Sequence, residues 1–149
     1  MTDIGFYHLQ RSPLERALPK LLEKVLEAGK RAVVVAGSDE RVESLNGVLW
    51  TYRPDSFLPH GSAKDGNAEN QPVWLATVPE KPNGADILIL TDGATTDSFD
   101  GFDRCLELFD GNDDAAVTAA RERWAEYKAA SHAVVYYQQT ESGGWEQKA

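Results

Sequence analysis

The sequence is poor in the residues that staple a chain or hold a metal. Cys105 is its single cysteine, and its three histidines, His8, His60 and His132, stand far apart. One cysteine excludes a disulfide framework within the chain and fits an intracellular setting. No group of His, Cys or carboxylate residues has the spacing of a metal site, so no metal is expected. Long apolar runs are missing too. None approaches the ~20 residues of a membrane span, and no basic segment leads into an apolar run at the N-terminus, so no signal peptide is expected. Positive charge is scarce: 15 Lys and Arg against 24 Asp and Glu leave a net charge of −9. Sequence-blind nucleic-acid binding needs a basic surface, so direct DNA binding is disfavoured, with a local basic patch still open.

The usual marks of chemistry are also absent. Neither G-x-x-x-x-G-K-[ST] nor G-x-G-x-x-G occurs, and Gly29-Lys30 precedes its strand, where a phosphate loop would follow one. Gly37-Ser38 does follow a strand and open a helix, which leaves one helix N-terminus able to hold an anion. No G-x-S-x-G elbow is present. Asp86 and Asp92 flank a central strand, where α/β enzymes place carboxylates, but a turn and a cap account for them. No catalytic residue and no cofactor is expected, and the chain reads as a non-enzyme.

What is present is a globular composition, 42% hydrophobic and 26% charged over 149 residues. That is enough for one core and one domain spanning 1–149. Thr2 to Leu9 reads as a strand. Ser12-Pro13-Leu14-Glu15 reads as a helix start, with Ser as cap, Pro at the first helical position and Glu three residues on. Leu14, Ala17, Leu18, Leu21, Leu22, Val25 and Leu26 follow at helical spacing, with Pro19 expected to kink or split the helix and Gly29 to close it. Arg31 to Ala36 and Ala85 to Thr91 fit strands buried on both faces. Ser38 caps a helix whose apolar face is Val42, Leu45 and Leu49. Residues 61–71 have no periodicity and read as a mobile loop. Pro72 to Thr77 reads as a strand. Residues 99–111 fit either a helical face through Phe99, Phe102, Leu106 and Phe109, or a strand through Leu106 and Leu108. Asn112 or Asp113 caps a helix to about Ala130. Ala133 to Gln139 is a last strand, broken by Gly143-Gly144, after which Trp145 folds back. Strands alternating with helices give an α/β fold: a mostly parallel sheet with helices on both faces.

Two regions stand out. In Leu45 to His60, LNGVLWTYRPDSFLPH, a helix end runs into a segment stiffened by Pro54 and Pro59 that carries Trp50, Phe57, Leu58 and His60. It either locks the local core or offers a partner an apolar anchor; the burial habit of large apolar residues favours the first. On the helix after Asp113, Val117, Arg121, Trp124 and Lys128 form one stripe, and Ala116, Ala119, Arg123 and Tyr127 another face. The stripe is either solvated with Trp124 tucked down, or a groove for a short acidic and aromatic peptide. Arg121 and Lys128 would then meet carboxylates, and Trp124 an aromatic side chain.

An ordered series of motifs carries a family resemblance. Leu49-Trp50, Pro54, Ser56-Phe57 and Pro59-His60 resemble the signature of the chi subunit of bacterial DNA polymerase III holoenzyme. Phe6-Tyr7, Gly29-Lys30-Arg31, Ala85 to Ile89, Ala120-Arg121-Glu122-Arg123-Trp124 to Tyr127, and Trp145 agree in order. The resemblance implies a nucleotide-binding-like α/β fold without the nucleotide, and favours a strand over 99–111. It implies binding of the acidic, Phe-ending C-terminal tail of single-stranded-DNA-binding protein at Arg121, Trp124, Lys128 and Val117. Ala125 and Val117 stand where some relatives carry Lys, so fewer cations are offered. It implies binding of the psi subunit, and through psi the clamp loader, at Phe57 with Trp50, Leu58, Pro59 and His60. An accessory helicase could compete for that surface. The expected protein is a cytoplasmic, non-catalytic adaptor in DNA replication; the alternative is a nucleotide-dependent α/β enzyme or switch.

Overall fold

Ala32–Val35 and Ile87–Leu90 carry only apolar side chains, so neither can leave a face in water. Each needs cover on both sides and a strand at each edge, and both receive them. The structure, a computed structural model, describes residues 3–10, 13–51, 60–62, 68–80, 83–96, 99, 101–142 and 144–148. In chain order the elements are β1 (Asp3–Leu9), α1 (Leu14–Glu27), β2 (Ala32–Val35), α2 (Asp39–Thr51), β3 (Gly61–Ser62), a 3₁₀ turn (Ala68–Asn70), β4 (Val73–Ala76) and β5 (Ile87–Leu90). They continue with β6 (Arg104–Asp110), α3 (Asp114–Ala129), β7 (Ala133–Gln139) and β8 (Trp145–Gln147). The strands form one eight-stranded sheet in the order β3-β4-β2-β5-β6-β1-β7-β8. Every pairing is parallel except that of β7 with β8.

Helices α1 and α2 cover one face. Leu18, Leu22 and Leu45 are fully buried there against Val34, Leu75 and Ile89. Helix α3 and the segment before β6, through Phe99 and Phe102, cover the other face over Phe6, Val33 and Leu88. The single α/β domain with helices on both faces is therefore as expected. The ambiguous 99–111 stretch resolves into a loop holding Phe99 and Phe102 and a strand buried on both faces, Leu106 and Leu108 to one side and Cys105 and Phe109 to the other.

Three local expectations change. Pro13 is the cap of α1 rather than its first helical residue: at φ −73° and ψ 166° its backbone is still extended, while its carbonyl accepts from Arg16 and Ala17 N–H. Ser12, the expected cap, lies outside the described residues. Pro19 does not split α1, which runs unbroken past it; the ring is buried, and the lost donor removes one intrahelical bond. Within the stretch 61–71 that reads as a mobile loop, Gly61 and Ser62 pair with Trp74 and Leu75 and Ala68–Asn70 make a 3₁₀ turn, while 63–67 lie outside the described residues.

Other signals are read correctly. At Gly29, φ is +73°, its N–H donates to the Leu26 carbonyl, and Lys30 N–H donates to that of Val25, the paired bonds of a Schellman stop. Ser38 Oγ accepts from Arg41 N–H at the start of α2, and Asp113 accepts from Ala115 and Ala116 N–H at the start of α3.

From β1 the chain passes through α1 to β2, on one side of β1 in the sheet. From β6 it passes through α3 to β7, on the other side. Neighbouring strands β1 and β6 thus feed connections that diverge onto opposite faces. Their C-terminal ends form the switch point at which such sheets open a crevice.

Candidate protein-docking site

A cleft of about 800 Å³ lies at that switch point, between the N-terminal ends of α1 and α3. Its charged lining is Glu15, Arg41, Asp92, Asp110, Asp113 and Arg123. The chain itself consumes most of this charge. Arg41 bridges Glu15 at 3.0 Å and Asp92 at 3.1 Å, and Asp92 also accepts from Gly37 N–H. The anion that the Gly37-Ser38 turn could hold is therefore supplied by Asp92, and the bland reading of Asp92 as a cap holds. Asp86 accepts weakly from Arg31 N–H, again a structural role. With four carboxylates against two engaged guanidiniums, the lining repels a phosphate chain.

Arg123 turns away from water into the α3–β6 contact. Its Nε donates to Glu107 Oε1 at 2.6 Å, and both side chains are nearly buried. Burial pushes the Glu107 carboxyl up to about 7, with Arg123 opposing the rise. The Tyr127 hydroxyl and the Cys105 thiol beside it are raised by the same burial. The face holding Arg123 and Tyr127 is therefore the inner one. The sequence reading missed Glu107, and its only signal was a carboxylate between Leu106 and Leu108 in an otherwise apolar strand.

The stripe of Val117, Arg121, Trp124 and Lys128 runs along the flank of α3. Val117 and Trp124 are half-buried against the sheet, while Arg121 and Lys128 are exposed. Trp124 sets its ring edge-on to Phe6 at 5.8 Å and to Tyr136 at 6.0 Å, and Lys128 Nζ lies 5.8 Å from its centroid. The indole is thus seated on the core without being sealed in it. One turn away, Arg121 acts on two groups that sequence reasoning did not join to it. His8 on β1 and Tyr136 on β7 are bonded, imidazole Nδ1 to hydroxyl. Burial lowers the His8 pKa and the Arg121 charge lowers it further, while Asp110 opposes. Burial raises the Tyr136 pKa, and Arg121 opposes.

Of the second predicted group, the structure describes the side chain of His60 alone. Trp50 belongs to α2, with its side chain outside the description, and Phe57, Leu58 and Pro59 lie outside the described residues. His60 is buried just before β3, on the far edge of the sheet from α3. Among the described residues, no group of three or more His, Cys, Asp or Glu could hold a metal, and no helix is long and apolar enough to cross a membrane.

Fold and surface together define a doubly wound α/β domain whose strand-end cleft is occupied by its own ion pairs, and whose open cations sit beside an indole on one flanking helix. The chain belongs to the DNA polymerase III chi subunit family: the family pattern described as "DNA polymerase III chi subunit, HolC" matches residues 1–135. It is similar to "Probable DNA polymerase III subunit chi" of Rickettsia prowazekii, 30% identical over 90 residues, 60% of this chain. That match spans about half, 54%, of the Rickettsia protein. It is 27% identical to DNA polymerase III subunit chi of Escherichia coli K12 over 80% of this chain and 81% of the relative. To the Pseudomonas aeruginosa subunit chi it is 28% identical, over 86% and 90%.

Proposed function

We propose that this chain is a cytoplasmic, non-catalytic adaptor of the replicative polymerase, joining the clamp loader, through the psi subunit, to single-stranded DNA coated by its binding protein. The observation that carries the reading is the flank of α3 in a chain of this family: exposed Arg121 and Lys128 on either side of a half-open Trp124. An acidic tail ending in an aromatic residue meets this surface with opposite charge and a ring to stack on, and Val117 adds apolar contact. Psi is received by the stretch carrying Phe57, Leu58 and Pro59, together with Trp50 and His60.

The test is calorimetry with a synthetic tail peptide. Arg121→Ala is expected to cost about 2 kcal/mol or more of binding, as at a hot spot. Trp124→Ala is expected to cost as much, with some stability, because its ring also packs on Phe6. Unchanged affinity in both rejects the site. Phe57→Ala is expected to leave the fold intact and reduce co-purification with psi; wild-type yield rejects the loop assignment.

The position of the strand-end cleft favours a second reading, a nucleotide-dependent enzyme or switch, and its carboxylate-rich lining opposes it. A bound nucleotide would raise the melting temperature, so a rise with ATP or GTP would revive that reading.

A further inference from the structure

The His8–Tyr136 pair is left over from the account so far. His8 is the next-to-last residue of strand β1, beside a residue that must be glycine: a Cβ on Gly111 would stand 2.0 Å from the imidazole and 2.6 Å from the Leu9 carbonyl. The ring is held between Phe109, edge-on at 5.2 Å, and Tyr136 at 5.9 Å. Tyr136 in turn touches Trp124. A run of half-buried rings therefore leads from Trp124 over Tyr136 to His8, within reach of the Arg121 charge. The groups that face His8 are Asp110 from β6, Arg121 from α3 and the Tyr136 hydroxyl from β7.

We propose that His8 and Tyr136 belong to the surface that takes the acidic tail, and that seating the tail beside Arg121 loads a proton from solution onto His8. The proposal rests on the tail reading and adds residues and a regulation to it. Unoccupied, the site desolvates His8 and sets it against the Arg121 cation, and both favour the neutral imidazole. In that ring, with its proton on Nε2, the Tyr136 hydroxyl donates to Nδ1. A carboxylate laid along Arg121 removes the repulsion and supplies a counter-charge. A proton taken up at Nδ1 reverses the bond: Nδ1–H donates to the hydroxyl oxygen. The hydroxyl hydrogen is then free to donate to the tail. In a chain of net charge −9, this adds a third cation where two already stand.

The experiment is calorimetry of the whole chain with the tail peptide between pH 8 and pH 5.5, in two buffers of different ionisation enthalpy. The tail is expected to bind about tenfold more tightly at pH 5.5 than at pH 8, the equivalent of one unit of pKa, with proton uptake in between. In His8→Gln the slope and the uptake vanish while the dependence on Arg121 remains. In Tyr136→Phe binding weakens about fivefold at pH 5.5, the loss of one hydrogen bond. Ring resonances of His8 in the wild-type chain titrate at higher pH with peptide than without, a readout that needs no variant. An unchanged slope in His8→Gln assigns the proton elsewhere, Glu107 included, and overturns this proposal alone. A tail that binds the wild type at no pH overturns the docking site itself.

Discussion

Helices α1 and α2 meet the sheet through Leu, Val and Ala packed to near-zero exposure. Helix α3 meets it through rings and one ion pair, with Ala120 its single fully buried residue among those described. The first contact excludes water and spends its apolar side chains on the core. The second keeps Trp124 and Tyr136 half open and puts the charge of Arg123 inside while leaving that of Arg121 outside. The two arginines are two positions apart on one helix, and the sheet decides which is structural. The difference teaches that an open aromatic and cationic surface can be laid over a core without being part of its aliphatic layer.

The comparison breaks most sharply at Arg123. Arg123→Ala leaves a buried carboxylate alone, and is expected to cost about 3–5 kcal/mol at pH 8 in urea unfolding. The cost should shrink toward pH 5, because Glu107 can then take a proton. The same pair gives wild-type stability a pH slope. The folded carboxyl, near 7, lies above its ordinary 4.5, so the folded state holds more protons between these values and stability falls as pH rises through that window. The contribution is on the order of 3 kcal/mol. Glu107→Gln should flatten the slope; if the slope persists, the pair is not its source.

Leu18→Ala on the opposite face should cost about 2–5 kcal/mol by leaving a cavity, with tail affinity unchanged in calorimetry under native conditions. If tail binding also weakens, the faces are coupled and the contrast is too strong. The smallest effect is expected at Lys128. Lys128→Ala should lose about 0.5–1 kcal/mol of tail binding, an exposed cation beside a ring, and should reduce the salt dependence of affinity, with melting unchanged.

The legible parts of the sequence follow from the same difference. An aliphatic face leaves a period that can be read without the fold, as in Leu14 to Leu26 and in Val42, Leu45 and Leu49. The apolar runs of β2 and β5 require cover on both sides, and Gly29 requires a stop. The short strand β3 has no period, since two residues become a strand only by lying beside Trp74 and Leu75. Residues 99–111 fit two patterns because the strand within them, Arg104–Asp110, is buried on both faces and loses its alternation. On α3 the stripe of Arg121, Trp124 and Lys128 was readable as a stripe, but its tilt toward the sheet was not. That tilt is set by Glu107, sixteen positions before Arg123, and by Tyr136, which approaches Trp124 only once β7 has crossed beyond β1.

The margins of the sheet carry a last consequence. Among the described residues its outermost strands are β3, two residues long, and β8, three residues long and reversed against β7, with Glu146 and Lys148 in water. Short borders, one of them flanked by charge, give a stray peptide little ladder to lengthen. Among the described residues, the sheet therefore offers a partner side chains more readily than a free backbone ladder.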